Sequence, residues 1–385
     1  MQRALGELAE RDLSDRNLIA LLTDLRQRYT EEQAAALLDQ ARLRQRGVEK
    51  FGDLAREMLF TGEALEQASG RNIARYRAVR YAPFARIADL GCGIGGDALA
   101  LSEQCDWLLA LDRDPIRLLF AEHNLRVAGR ESVVRFEMAD WTTFPFDDKM
   151  EAAFADPARR VEGQRVFSLH EIEPPLNAIL DVQRRIPNLG VKVMPGVTDE
   201  ELPAGSEVEF ISEGGTLKEA VLWFGTLQLG ADRAATVIEG KGQAHTLTSR
   251  APSPPISVTP PRAYLWEPDP AVIRATLVTH LAHQLGAAQI DEQIAYLTGD
   301  GLADTPFARV WPILEHAPFN LKELNRRLRS LEAHVLTVKK RGSPIEPERF
   351  RRRLKSSDEG QPVTIFVTKH QEQPWMIICG EEIRE

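Results

Sequence analysis

Apolar positions in the first 81 residues recur at helical spacing. Thr30-Glu31-Glu32-Gln33 has capping-box form, and Ala34, Leu37, Leu38 and Ala41 then mark one helix face until Gly47 offers a stop. A further face runs through Phe51, Leu54, Ala55, Met58 and Leu59, and two short helical patterns follow Thr61-Gly62. The second, 71–80, carries Arg71, Arg75, Arg77 and Arg80. These either meet RNA phosphates or form a solvated helix face, the ordinary reading of a charge run.

The period changes after Pro83. Short apolar runs at 86–90, 107–111, 133–138, 152–155, 191–194, 207–212 and 220–224 alternate with helical segments, 176–185 among them. This predicts an α/β fold: a Rossmann-like, doubly wound sheet of seven strands with an extra hairpin at its end. Ligands of such sheets bind beyond the carboxyl ends of the strands. A proline-rich stretch, Arg250-Ala251-Pro252-Ser253-Pro254-Pro255 and then Thr259-Pro260-Pro261, reads as a stiff linker. Beyond it, helices at 270–285, 321–331 and 347–354 and strands at 334–338, 363–368 and 375–379 predict a small α+β domain. The expected organisation is thus helical domain 1–81, sheet domain 82–249, linker 250–262 and α+β domain 263–385.

The length of 385 residues agrees with two or three domains. A net charge of −9 excludes a chain that coats nucleic acid indiscriminately, yet leaves room for a local basic patch. One such cluster is Lys339-Lys340-Arg341 with Arg349, Arg351, Arg352, Arg353 and Lys355. Cys92, Cys105 and Cys379 are isolated, and His280 and His283 have no third ligand nearby in sequence, so neither a disulfide frame nor a metal site is expected. Ser168-Leu169-His170 lacks the context of a nucleophile elbow. The first residues meet acids before any apolar run forms, and no stretch approaches the roughly 18 apolar residues of a membrane span. The chain is accordingly read as cytoplasmic.

Candidate chemistry begins at Asp89-Leu90-Gly91-Cys92-Gly93-Ile94-Gly95-Gly96-Asp97, an acid and a glycine loop between the first run and a helix. Gly91-x-Gly93-x-x-Gly96 fits a dinucleotide fingerprint, but Asp89 and Asp97 would repel the pyrophosphate of NAD or FAD. S-adenosylmethionine carries an ammonium and a sulfonium and no phosphate, so these acids favour it. The second run ends in Asp112, about 20 residues beyond the loop, where a carboxylate accepts ribose hydroxyls. Asp114 before Pro115 reads instead as a helix cap. After the third run, Asp140 is placed to accept from an adenine amino group and Trp141 to flank the ring, although a solvent-facing turn acid is the alternative.

The fourth run ends in Asp156-Pro157-Ala158-Arg159-Arg160, where the methyl group should meet its acceptor. Amino-directed methyltransferases carry Asp/Asn-Pro-Pro-aromatic here, so that the acid and the next carbonyl accept the target amine and the aromatic stacks the base. Asp156 and Pro157 fit that pattern, whereas Ala158 and Arg159 depart from it. A guanidinium stacks on a base or pairs with a phosphate, and Arg159 is expected to orient one of these. A structural turn pairing with Glu162 or Glu171 is the alternative.

With these motifs the chain resembles bacterial class I methyltransferases whose catalytic domain is similar to RNA cap trimethylguanosine synthase and which end in a THUMP-like domain. The carriers are 61–68, Asp89 to Asp97, Asp156-Pro157-Ala158-Arg159-Arg160, 191–196, 220–225 and 264–269. The resemblance implies S-adenosylmethionine as cofactor and RNA as substrate. It also implies that the segment before the sheet, with Phe60 and Thr61, folds over the methionine end of the cofactor. Asp89 and Gly91 would hold the methionine moiety, and Gly93, Gly95 and Asp97 are counted with them as cofactor-binding. The expected activity is methylation of a base nitrogen of tRNA or rRNA. Alternatives are a cofactor-binding RNA-binding or assembly protein without methyl transfer, or a methyltransferase acting on a protein or small molecule.

Overall fold

The computed structural model describes residues 2–157, 160–161, 164–165, 168–240, 242–357 and 359–383. It opens with helices α1 (Gln2–Ala9), α2 (Leu18–Arg26), α3 (Glu31–Phe51), α4 (Gly62–Gln67) and α5 (Arg71–Ala78). Thr30 Oγ1 accepts the Gln33 amide and Gln33 Oε1 accepts the Thr30 amide, so the expected capping box starts α3. Gly47 does not stop it. That residue lies inside α3, where a Cβ would come within 2.9 Å of Phe60 Cζ, so glycine there serves close packing.

The sheet follows, with β1 (Arg86–Leu90), α6 (Gly96–Leu101), β2 (Trp107–Asp112), α7 (Pro115–Val127), β3 (Val134–Met138) and β4 (Ala152–Ala155). After a two-residue pair, β5 (Arg160–Val161) and β6 (Gln164–Arg165), come α8 (Leu176–Arg185), β7 (Asn188–Val193), β8 (Glu207–Glu213), β9 (Thr216–Trp223), β10 (Arg233–Glu239) and β11 (Gln243–Ser249). Strand order is β11-β10-β8-β9-β7-β4-β1-β2-β3. β1 runs parallel to β2 and β4, and β4 to β7, while β9 is antiparallel to β7 with Val193 opposite Ala220. Ile87, Ala88 and Leu90 of β1 are fully buried, as a strand covered on both faces requires. The sheet has nine strands where seven were expected, because β10 and β11 pair as a hairpin from Arg233 opposite Ser249 to Glu239 opposite Gln243. Ala234-Ala235-Thr236-Val237-Ile238 reads equally as strand or helix, and only the Gly240–Gly242 turn signals the hairpin.

The chain forms two compact units. The first is Met1–Val208 with Glu219–Leu229 and Gly240–Gly242, and the second is Glu209–Lys218, Gly230–Glu239 and Gln243–Glu385.

The second unit contains β12 (Tyr264–Pro268), α9 (Pro270–Arg274), α10 (Val278–Leu285), β13 (Ala288–Asp291), β14 (Ile294–Gly299), β15 (Ala308–Pro318), α11 (Leu321–Ser330), β16 (Ala333–Lys340), α12 (Pro347–Arg351), β17 (Gln361–His370) and β18 (Gln373–Cys379). The helix expected at 270–285 is two, broken at Thr276 with φ 58°. Strands lie in the order β13-β14-β12-β15-β18-β17-β16, and Leu324 and Leu328 of α11 and Phe350 of α12 pack on Val335, Val363, Ile365, Met376 and Ile378. The proline-rich stretch is docked here. Gln289 donates its amide to Ser257 and accepts that of Thr259, and His280 and His283 face the carbonyls of Ala251 and Pro254 at 3.1 and 3.0 Å. Among the described residues no helix is long and apolar enough to cross a membrane.

Candidate active site

All residues of the site belong to the first unit, and its strand-end acids lie at the carboxyl ends of β1, β2, β3 and β4. The amides of Gly91 and Cys92 both donate to the Leu111 carbonyl at 2.9 Å, which folds the glycine loop over the end of β2. Gly91 has φ 81°, and a Cβ there would lie 3.3 Å from the Asp156 carbonyl oxygen and 3.7 Å from Trp141 Nε1. Its bare backbone therefore lets the loop, the end of β4 and Trp141 converge. Gly95, φ 85°, leaves room for Leu125 of α7, which a Cβ would meet at 2.7 Å.

Asp112 closes the second side. Its Oδ2 accepts the Gly93 amide at 2.8 Å and its Oδ1 that of Asp114 at 2.9 Å. Asp114 caps α7 by accepting from Ile116 and Arg117, with Pro115 next, as the sequence reading had it. Asn124, wholly buried on α7, exchanges hydrogen bonds with the Leu59 amide and carbonyl and donates to the Ile94 carbonyl. It thereby fastens the segment before the sheet to the glycine loop.

One buried cluster dominates the electrostatics. Asp89 is fully buried, and neither carboxylate oxygen has a hydrogen-bond partner among the described residues. Arg77, 2% exposed, forms an ion pair with Asp97 and lies with Nη1 3.0 Å from Glu219 Oε1 and its guanidinium 4.5 Å from the Phe154 ring centre. Ser69 Oγ donates to Glu219 at 2.9 Å. Lys192 Nζ donates to Asp156 Oδ2 at 2.7 Å and to the Gln67 carbonyl at 3.3 Å. Burial, and then the charges of Asp97, Asp156 and Asp112, push Asp89 well above the usual carboxylate range. Burial also raises Asp97, against the pull of Arg77 and Lys192. Five carboxylates thus face two cations.

That donor set fits one kind of ligand. A buried carboxylate without a donor is costly, and an ammonium or sulfonium satisfies it where a phosphate would compound the repulsion. The methionine end of S-adenosylmethionine carries both cations.

Phe60 is fully buried against Phe51 at 5.8 Å between ring centres, in one apolar cluster with Ile94 of the loop. Thr61 caps α4, accepting the Ala64 amide at 3.1 Å. Asp97 is engaged by Arg77. Asp140 is exposed and accepts from the amide and hydroxyl of Thr142, which hold it below the ordinary carboxylate range, and Trp141 is buried beside it. Pro157 is buried, while Ala158 and Arg159 lie outside the described residues. Arg77 and Arg80 form neither a solvated face nor an RNA contact, because Arg80 pairs with Glu207 at 3.0 Å and stacks over Trp223.

Arg77, Lys192, Glu219 and Asn124 were missed. A signal existed for two of them. Arg77 shares a helix face with the buried Ile73, Ala74 and Ala78, and Lys192 interrupts the apolar strand Gly190-Val191-Lys192-Val193.

A parallel sheet in this order, with an antiparallel strand inserted near one end and acids at successive strand ends, defines the class I methyltransferase architecture. Comparison with known proteins agrees. Over 348 residues the chain is 34% identical to an uncharacterized S-adenosylmethionine-dependent methyltransferase of Mycobacterium tuberculosis, found in two strains, with 88% of this chain and 93% of that one covered. The chain belongs to the S-adenosylmethionine-dependent methyltransferases. In overall fold it is similar to the crystal structure of a putative methyltransferase from Porphyromonas gingivalis W83, with TM-score 0.78 and 18% identity over 99% of this chain and 97% of that one. Residues 308–381 match the family described as THUMP domain-like, and residues 2–47 match a domain of unknown function. When bound, the cofactor supplies an electrophilic methyl group on sulfur.

Proposed function

We propose that this cytoplasmic enzyme methylates a base nitrogen of tRNA or rRNA. The observation that carries the reading is the THUMP domain-like match over 308–381, within the second unit, since such domains accompany RNA-modifying enzymes. Supporting it, Lys340, Arg351, Arg352, Arg353 and Lys355 are exposed there and have no ion partner among the described residues. Asp89 and the Gly91, Gly93 and Gly95 backbone would hold the methionine moiety, Asp112 the ribose, and Asp140 with Trp141 the adenine. Asp156 and the following Pro157 would present acceptors to the target amine, and Arg159 would orient base or phosphate. The chain's own contribution is then positioning and exclusion of water.

The test is incubation with labelled S-adenosylmethionine and total RNA from cells lacking the gene, followed by nucleoside mass spectrometry. Label in one modified nucleoside is expected. Label confined to protein or small molecules overturns the RNA reading and favours the alternative that the net charge of −9 suggests.

A further inference from the structure

Lys192 stands in a buried strand, β7, between β4 and β9, where an ammonium is tolerated only with partners. It is 3% exposed. Ala155 pairs with Val191 across β4 and β7, so the next step along each strand brings Asp156 beside Lys192. Nζ reaches Asp156 Oδ2 at 2.7 Å and the Gln67 carbonyl at 3.3 Å, leaving Oδ1 of Asp156 without a hydrogen bond among the described residues. The segment that carries Gln67 is pinned from its other side as well. Lys50 Nζ donates to the carbonyls of Leu65, Glu66 and Ala68 at 2.7, 2.9 and 2.7 Å.

We propose that Lys192 is a positioning residue for methyl transfer. It holds one oxygen of Asp156, so that the other is fixed as the acceptor for an N–H of the substrate, while the Asp156 backbone carbonyl lies against the loop at Gly91. Through Gln67 it ties the same carboxylate to the wall formed by the segment before the sheet. Its ammonium orients and does not touch the reacting atoms. This rests on the reading of Asp156 as the group that meets the target amine.

A double-mutant cycle separates action through Asp156 from a merely structural role. Full-length wild type, Lys192→Met, Asp156→Asn and the double variant are assayed for labelled methyl transfer to total RNA from cells lacking the gene, and S-adenosylmethionine affinity is measured by calorimetry. Lys192→Met is expected to lower turnover about 100-fold, the scale of a misplaced catalytic group, with cofactor affinity within about threefold. The double variant should be no slower than Asp156→Asn. Multiplying losses, a Lys192→Met turnover within about threefold of wild type, or lost cofactor affinity overturns the proposal.

Should Lys192→Met fail to fold, Lys192→Arg takes its place. About tenfold lower turnover in a folded protein is then expected, and unchanged turnover overturns the proposal. If wild type labels no RNA, the RNA reading fails by itself, and Lys192 is judged by crystal structures of wild type and of Lys192→Met or, failing that, Lys192→Arg. An Asp156 carboxylate displaced from its wild-type position supports the positioning role, and one left in place overturns it.

Discussion

Asp112 holds Gly93: its Oδ2 accepts the loop amide at 2.8 Å while Oδ1 accepts the Asp114 amide at 2.9 Å. A carboxylate has about four acceptor sites, so these two bonds leave capacity for the two ribose hydroxyls and fix where that capacity points. Asp112→Ala removes the clamp on the loop and, with it, the proposed ribose acceptor. Affinity for S-adenosylmethionine should fall by about 10- to 100-fold, with Asp112→Asn between the two, since an amide retains one acceptor oxygen. Isothermal titration checks this, and an unchanged affinity in Asp112→Ala rejects the ribose assignment.

Cofactor binding should depend on pH through Asp89. Burial and the neighbouring Asp97, Asp156 and Asp112 raise its folded-state value, so the cofactor-free protein holds a proton that the unfolded chain has lost. A cationic ligand favours the ionised form and must displace that proton. Affinity therefore rises with pH, by at most about tenfold per unit, until the raised value is passed. Calorimetry in buffers of different ionisation enthalpy should show proton release, and Asp89→Asn should reduce both the release and the pH dependence, any remainder falling to Asp97, which burial raises as well.

The sign for stability is opposite. A raised folded value contributes stability below about pH 4, where the unfolded carboxylate titrates, and that contribution is lost as pH rises. Near neutral pH, Asp89→Asn should therefore raise the melting temperature of the cofactor-free protein while weakening cofactor binding. A lower melting temperature would show that the carboxylate has a partner in solution.

Arg77 is the counter-charge that the sequence hid. With Asp97 and Glu219 on either side and Phe154 beneath it, it is buried where its removal leaves two carboxylates facing each other in low dielectric. Arg77→Met should cost about 3–5 kcal/mol, read from urea unfolding, and adding Glu219→Gln should recover part of that loss.

The placement of the strand-end acids was legible because it is local. Asp89, Asp112 and Asp156 each close an apolar run, and a parallel sheet aligns such ends wherever the strands fall in order. Partners that depend on packing were not. Arg77 could be told from Arg71 and Arg75 only by its place on the helix face with Ile73 and Ala74, and nothing local to Phe60 reveals the Gly47 notch that receives its ring. The proline-rich stretch has a related dependence. Its prolines mark a stiff extended chain, but whether such a chain stays free or lies along a strand is settled by Gln289, some 30 residues further on.

The basic segment at the end of α12 gives the most direct test of RNA contact. Phe350 and Leu354 are buried in the core of the second unit, one helical turn apart, and they anchor the segment so that Arg351, Arg352, Arg353 and Lys355 face solvent. Each phosphate contact releases counterions, so removing three cations should flatten the salt dependence as well as weaken binding. For Arg351→Gln, Arg352→Gln and Arg353→Gln together, the slope of log affinity against log salt should shrink by about 2 if the RNA is single-stranded at the contact. The melting temperature should stay unchanged, because none of the three has an ion partner among the described residues to lose. Filter binding across a salt series measures the slope, and a triple variant with the wild-type slope would place the RNA elsewhere on the protein.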